Sequence, residues 1–316
     1  MGIRQTLTSA WSRCSADRST CFFRKPWQVT ILQRLLVPLV HCGAVLLAVL
    51  VYSLGSTLYD FLTRLFISQY RYPYLAPLAL AQVLLTLLCT VALRALGCVT
   101  LQPYSLQLGE RLLVPSICSS LQAVLGLWAE ANAPSDLFVF MLQLLPLASA
   151  GWSHVLGLTK PPSPRITALV TAVTLSALIS TGMHGSFTWK PLVYLYAPLS
   201  LLLHSLCLSW LAKVGELQRR HAGGQTSPLD LYYTLSVNSS LLLGFLCLLL
   251  PNAGQAFSRG SWHSLIFLGY LLGMTVLGAL QHLFLALATL YSSPLAAALL
   301  HAAKDLALLF YSLLLF

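Results

Sequence analysis

Long runs of apolar side chains, each closed by a few polar residues, organise most of the chain. A helix needs about 20 apolar residues to cross a hydrocarbon layer about 30 Å thick. Nine segments approach or exceed that length: roughly 36–58, 75–97, 112–129, 137–158, 166–183, 191–212, 231–251, 264–290 and 293–316. The first can continue as helix to about residue 67. The joints carry turn chemistry, as in Tyr72-Pro73, Gln102-Pro103, Pro134-Ser135, Lys160-Pro161-Pro162-Ser163-Pro164, Gly223-Gly224 and Pro251-Asn252, because proline and glycine punctuate regular structure. They are short, so successive helices are expected to pack antiparallel. The pattern predicts an all-α, polytopic membrane protein. A polar, basic tail covers 1–34, and a single transmembrane domain covers 35–316 with no loop long enough to fold separately.

Composition narrows the class. Of the residues, 57% are hydrophobic and only 8% charged, with a mean hydropathy of +0.78. A soluble domain carries about 25% charge, so most of this surface faces lipid rather than water. A net charge of +10 would suggest nucleic acid in a soluble protein. Here the cations gather in joints, where topology explains them and no nucleic-acid partner is expected. Thirteen fall on one side: Arg4, Arg13, Arg18, Arg24, Lys25 and Arg34 of the tail, with Arg94, Arg111, Lys160, Arg165, Lys213, Arg219 and Arg220 of alternate joints. Four fall on the other: Arg64, Arg71, Lys190 and Arg259. Cytoplasmic loops carry the excess of Lys and Arg, which places the N-terminus in the cytosol. The eight cysteines are scattered without metal spacing and read as small buried hydrophobes. No hydrolase, kinase or metalloprotease motif is present, so neither an enzyme nor a cofactor is expected. The start Met1-Gly2-Ile3-Arg4-Gln5-Thr6 fits a myristoylation pattern, to which a chain with many spans owes little.

Charges and hydrogen-bonding groups inside apolar segments are the candidates for chemistry, because each costs free energy in hydrocarbon. Lys304 and Asp305 fall within the last segment. Adjacent side chains diverge by about 100° on a helix and pair poorly, so Lys304 is expected to face a polar cavity, where its ammonium can meet a phosphate. Asp60 and Arg64 stand one turn apart at the end of the first span, either as an intrahelical pair or as a cavity mouth for an anion. His204 lies deep in the sixth segment and Lys213 near its end, where an interhelical bond and snorkelling are the competing roles. Gln82, Gln122, Gln143, His154, Gln281, His282 and His301 add to a partly polar interior. Asn238-Ser239-Ser240 fits the glycosylation pattern but sits inside a span.

Several of these stretches share a likeness. Thr63-Arg64-Leu65-Phe66-Ile67-Ser68-Gln69-Tyr70-Arg71-Tyr72-Pro73 resembles the end of the first helix of nucleotide-sugar transporters, and Ala81-Gln82 is similar to part of their second. Gly97 through Pro103-Tyr104, with Ser119-Ser120-Leu121-Gln122 and Leu127-Trp128, resembles the third-helix region of a divergent subgroup related to the UDP-glucuronic acid/UDP-N-acetylgalactosamine transporters. Leu203-His204-Ser205 through Leu211-Ala212-Lys213, Ser227-Pro228-Leu229 with Tyr232-Tyr233, and Tyr291-Ser292-Ser293-Pro294 through Ala303-Lys304 extend the likeness over about residues 44–316.

This family lies in the drug/metabolite transporter superfamily. The resemblance implies ten helices in two inverted five-helix repeats, here roughly 35–183 and 190–316, around a central cavity. It implies exchange of a nucleotide sugar, or a related organic anion, for a nucleoside monophosphate by alternating access across a Golgi or endoplasmic reticulum membrane. In that frame Lys304 contacts phosphate, Arg64 and Lys213 guide the anion at opposite mouths, and Gln122 and Gln143 bond base or sugar. His204 and Tyr233 complete the expected binding residues. The partners expected are these nucleotides and the lipid bilayer, and a homodimer is compatible with the arrangement. The chain also departs from the pattern. The basic positions of the family's fourth helix read Leu142 and Gln143, the ninth-helix Asn-Ser-Ala reads Ser292-Ser293-Pro294, and only nine of ten spans are found. These losses motivate a rival reading, a transporter-like membrane protein that acts as a binding or trafficking partner without carrying cargo.

Overall fold

The computed structural model describes residue 43 and residues 47–66, 75–132, 140–158, 162–184, 193–221, 226–249 and 261–302. The chain divides into two compact units, Met1–Ala48 and Val49–Phe316, and every helix named here belongs to the second. All regular structure among the described residues is helical. In chain order the helices are α1 (49–66), α2 (Leu75–Ala95), α3 (Leu106–Arg111), α4 (Leu113–Asn132), α5 (Leu145–Val155), α6 (Pro164–His184), α7 (Val193–His221), α8 (Pro228–Leu249), α9 (Leu265–Tyr291) and α10 (294–302).

Four of these contain stretches long and apolar enough to cross a membrane, namely Leu75–Ala95, Leu195–Arg220, Pro228–Leu249 and Leu265–Tyr291. Their outer faces confirm the solvent. Leu88, Leu248 and Leu265 are 67%, 86% and 86% exposed, on a scale that water does not tolerate over so wide an apolar surface. The protein is membrane-embedded and all-α.

Prolines set where helices break. The expected continuous helix over 137–158 is interrupted. Residues 140–142 are helical, 143–144 form a turn, and α5 restarts at Leu145 with Pro146 in its first turn. Pro146 has no N–H for the Leu142 carbonyl and its ring crowds that oxygen. The chain compensates with a tighter bond from Leu144 N–H to the Met141 carbonyl, at 3.1 Å. Pro115 acts likewise on the Arg111 carbonyl, and the break between α3 and α4 falls at Leu112. By contrast, α1 is helical through Phe66, as its sequence suggests, and α7 runs past the expected end at 212 to His221. That extension carries Glu216, Gln218, Arg219 and Arg220 beyond the apolar run.

The closest-packed pairs are α4 with α7 and α2 with α8, while α9 lies against α2. One core cluster joins Phe66, Leu78, Leu127, Leu243, Phe267 and Met274, with the Phe66 and Phe267 rings 5.4 Å apart. A second, toward the α2–α3 joint, joins Leu112, Leu211, Leu231 and Leu290. Polar ties brace this same end. Ser227 and Asp230 form a reciprocal cap on α8: Ser227 N–H donates to Asp230 Oδ2 at 2.9 Å, and Leu229 and Asp230 N–H approach Ser227 Oγ at 3.1 and 3.4 Å. Pro228 fits between them because the first helical position needs no N–H. Asp230 Oδ1 also accepts from Gln102 N–H at 2.9 Å, pinning the α2–α3 joint to α8. Asp230→Ala removes cap and pin together and is expected to cost about 2 kcal/mol, read as a lower unfolding midpoint in detergent micelles. Asp230→Asn keeps one acceptor oxygen and is expected to lose less.

Candidate functional site

Polar side chains converge midway along the bundle. At 1.5 Å rise per residue, His204 lies about 16 Å from the start of α7, Gln122 about 15 Å from the end of α4, and His301 about 10 Å from the start of α10. They surround two adjoining chambers that share Gln82, Gln122, His204 and His282 as walls. The larger, about 140 Å³, is lined further by Tyr52, Tyr59, Asp60, Arg64, Leu142, Gln281 and His301. The smaller, about 60 Å³, is lined by Thr86, Ser119, Ser120, Tyr232, Ser236 and Ser239. Each exceeds the ~10–15 Å³ that one water requires.

Part of this lining is firmly tied. Gln82 is buried and its Nε2 donates to Tyr59 Oη at 3.2 Å and to the Met274 carbonyl at 3.3 Å, which links α2 to α1 and α9. Gly278 makes room for it, since a Cβ there would run into the Gln82 amide. Tyr52 Oη and His301 Nδ1 are 3.3 Å apart, and the His204 and His301 ring centroids are 5.7 Å apart at a tilt of 53°. Other wall atoms are not tied. Ser120 Oγ, His204 Nδ1 and Gln281 Nε2 are buried without a hydrogen-bond partner. Ser149, Ser200 and Ser209 share that condition outside both chambers. An unsatisfied buried polar atom costs about 1–3 kcal/mol, so the three wall atoms fit a space that holds water or a polar solute. No group of three or more His, Cys, Asp or Glu among the described residues is placed to hold a metal ion.

The sequence-derived site is brought together in part. Arg64, Gln122 and His204 all line the larger chamber, with Arg64 exposed and Asp60 beside it on the α1 wall. His204 therefore faces the hollow, and its Nδ1 does not bridge helices. Lys213 is elsewhere. Its Nζ donates to the Gly157 carbonyl at 3.0 Å, just past the end of α5, where Gly157 takes a positive φ of 58°. A cation at a helix C-terminus is favourable, and Lys213 lines neither chamber. Gln143 is buried at the break before α5 but outside the chamber walls, and its neighbour Leu142 lines the larger chamber instead. Tyr233 also misses the hollow, and Tyr232, turned by about 100° along the helix, lines it. Lys304 lies outside the described residues. The stripe Tyr52, Ser56 and Tyr59 on α1 adds wall residues beyond the sequence-derived set, at a helical spacing that marks a polar face.

The α2–α3 end holds a separate groove of about 820 Å³ lined by Glu216, Arg219, Arg220 and the opening turns of α6 and α10. Among the described residues it shares no wall with the chambers. Around it the helix ends are cross-tied. Arg219 Nη2 donates to the Leu290 carbonyl at the end of α9. Arg111 Nη1 donates to Gln218 Oε1 at 3.3 Å, and Gln218 Nε2 donates to Thr226 Oγ1 at 3.2 Å. Asn238, the residue of the glycosylation pattern, is buried with its Nδ2 donating to the Gly109 carbonyl at 2.8 Å and its Oδ1 accepting from Tyr104 Oη at 2.9 Å.

No family model matches the chain. The hollow can be tested without knowing what fills it. In nanodiscs, Gln122→Cys is expected to react with a charged thiol reagent above the background of the native cysteines, and the outward-facing Leu88→Cys is expected to stay at background.

Proposed function

We propose that this protein is a solute carrier that binds a nucleotide sugar or related organic anion in its mid-depth hollow and exchanges it for a nucleoside monophosphate by alternating access. The observation that carries the reading is the set of unpartnered polar atoms, Ser120 Oγ, His204 Nδ1 and Gln281 Nε2, around a space at the centre of a membrane-embedded bundle. Neutral donors and acceptors suit a sugar or base, and Arg64 suits the charged end of the solute. In this reading the chain forms nine spans of an inverted-repeat bundle, a design that puts its site near the midplane. The N-terminus is cytosolic, the cross-tied α2–α3 end faces the cytosol, and the membrane is that of the Golgi or endoplasmic reticulum. Arg220, in the wall of the groove at that end, takes the role of cytosolic anion guide that Lys213 leaves vacant.

The rival reading, a transporter-like partner protein that carries nothing, draws on two observations. Leu142 stands in the wall where the resemblance calls for a cation, and the larger chamber holds about 140 Å³, below the ~300–1,000 Å³ of ordinary small-molecule pockets. A carrier must widen this space on loading.

Proteoliposomes preloaded with nucleoside monophosphate and offered a panel of nucleotide sugars separate the two. Exchange is expected, and Arg64→Ala and Lys304→Ala are each expected to slow it roughly tenfold or more, the loss of a charge-assisted hydrogen bond. Folded protein that exchanges nothing would overturn the carrier reading and favour the partner reading.

A further inference from the structure

We propose that the hollow takes up one proton with each anion it admits, and that the facing imidazoles of His204 and His301 hold it. The inference rests on the exchange reading and adds a second ligand to the same site.

The described walls leave the charge of an anion uncompensated. Among the described wall residues the formal charges are those of Asp60 and Arg64, one of each sign. A phosphate-bearing solute brings up to two negative charges against described walls that sum to zero, more than one further cation offsets, and hydrocarbon supplies no counterion. Leu142 cannot supply one either. Of the wall groups, imidazole is the one that gains positive charge close to neutral pH. Three imidazoles stand here, His204 on α7, His282 on α9 and His301 on α10.

One pair of these rings is in contact, and His282 shares the walls with His204. The His204 and His301 rings are 5.7 Å apart, so a proton on one repels a second on the other, and the pair holds one. His204 is 9% exposed and its Nδ1 has no partner. A proton placed there finds its hydrogen-bond acceptor in the solute. His301 is positioned from behind by Tyr52.

The other titratable groups around the pair are few. From α1 they are Tyr52, Tyr59, Asp60 and Arg64, and α7 adds Cys207. Tyr232 comes from α8 and His282 from α9. The walls given by α2, α4 and residues 140–142 are amides, hydroxyls and apolar groups. Lys304, three positions beyond His301, lies outside the described residues. The proton comes from the water on the side where the solute enters and leaves with it on the other side. One N–H bond forms and later breaks, and nothing is oxidised or reduced.

A proton bound only in the complex strengthens binding as pH falls, by about tenfold per unit while the empty pair is neutral. The test uses the full chain in nanodiscs with ¹⁵N-labelled histidine and uridine monophosphate as probe. At pH 6.5 the nucleotide is expected to convert one imidazole from the neutral to the doubly protonated signature. That signal should vanish in His204→Gln and persist in His154→Gln, whose ring bonds the Ala150 carbonyl away from the hollow. Binding of the nucleotide is read from its own phosphorus line. Nucleotide that binds while all rings stay neutral overturns the proton site and leaves exchange standing. Nucleotide that does not bind overturns exchange, and inorganic phosphate then decides the proton site. A protonated ring that depends on His204 supports it, and neutral rings overturn it.

Discussion

Lipid offers no hydrogen-bond partners, so every polar group inside the bundle must find one in the protein or in trapped water. Most of this chain obeys by local means. Thr86, Thr90, Ser116, Ser153, Thr234 and Thr289 turn their hydroxyls back onto carbonyls four residues earlier, at 2.7–2.9 Å. Longer side chains reach across helices, as Gln82 does to Tyr59 and Met274 and Asn238 to Gly109. Unpartnered hydroxyls occur elsewhere too, at Ser149, Ser200 and Ser209, but Ser120, His204 and Gln281 lie in the walls of the two adjoining chambers, where water or a polar solute can reach them.

Four of the nine expected spans, those containing Leu75–Ala95, Leu195–Arg220, Pro228–Leu249 and Leu265–Tyr291, were legible because apolar runs of membrane length are a strong and redundant signal. What the runs could not convey was the fine register. Pro146 deletes one backbone donor, and at the helix break beside it Leu142 faces the chamber while Gln143 does not. One position of rotation likewise exchanges Tyr233 for Tyr232. Lys213 looked like a binding cation because its charge was visible, whereas the acceptor that engages it, the Gly157 carbonyl, belongs to backbone distant in sequence. Asp230 went unremarked for the reverse reason. Its carboxylate serves a cap and a neighbouring joint, and only the local Ser-Pro-x-Asp spacing hints at it.

The walls favour recognition by hydrogen bonds over recognition by fixed charge. Amides, hydroxyls and imidazoles dominate, and Arg64 stands at the exposed edge. The denser cationic surface is in the groove at the α2–α3 end, where Arg219 and Arg220 gather. In the proposed exchange, attraction and selection would fall at different depths. Charge would act at range on an anion, while short hydrogen bonds inside would discriminate among solutes that arrive.

The two-residue joint Ser292–Ser293 has a mechanical result. It makes α9 and α10 the two arms of an elbow, with His282 about 14 Å along one arm and His301 about 10 Å along the other. Arg219 fastens that elbow, at the Leu290 carbonyl, to the helix that carries His204. A tilt of about 6° about this pin displaces a ring 10 Å away by about 1 Å. The spacing between the imidazoles would therefore follow the posture of the bundle, since a coarse helix tilt would change the contact between the two rings at its centre.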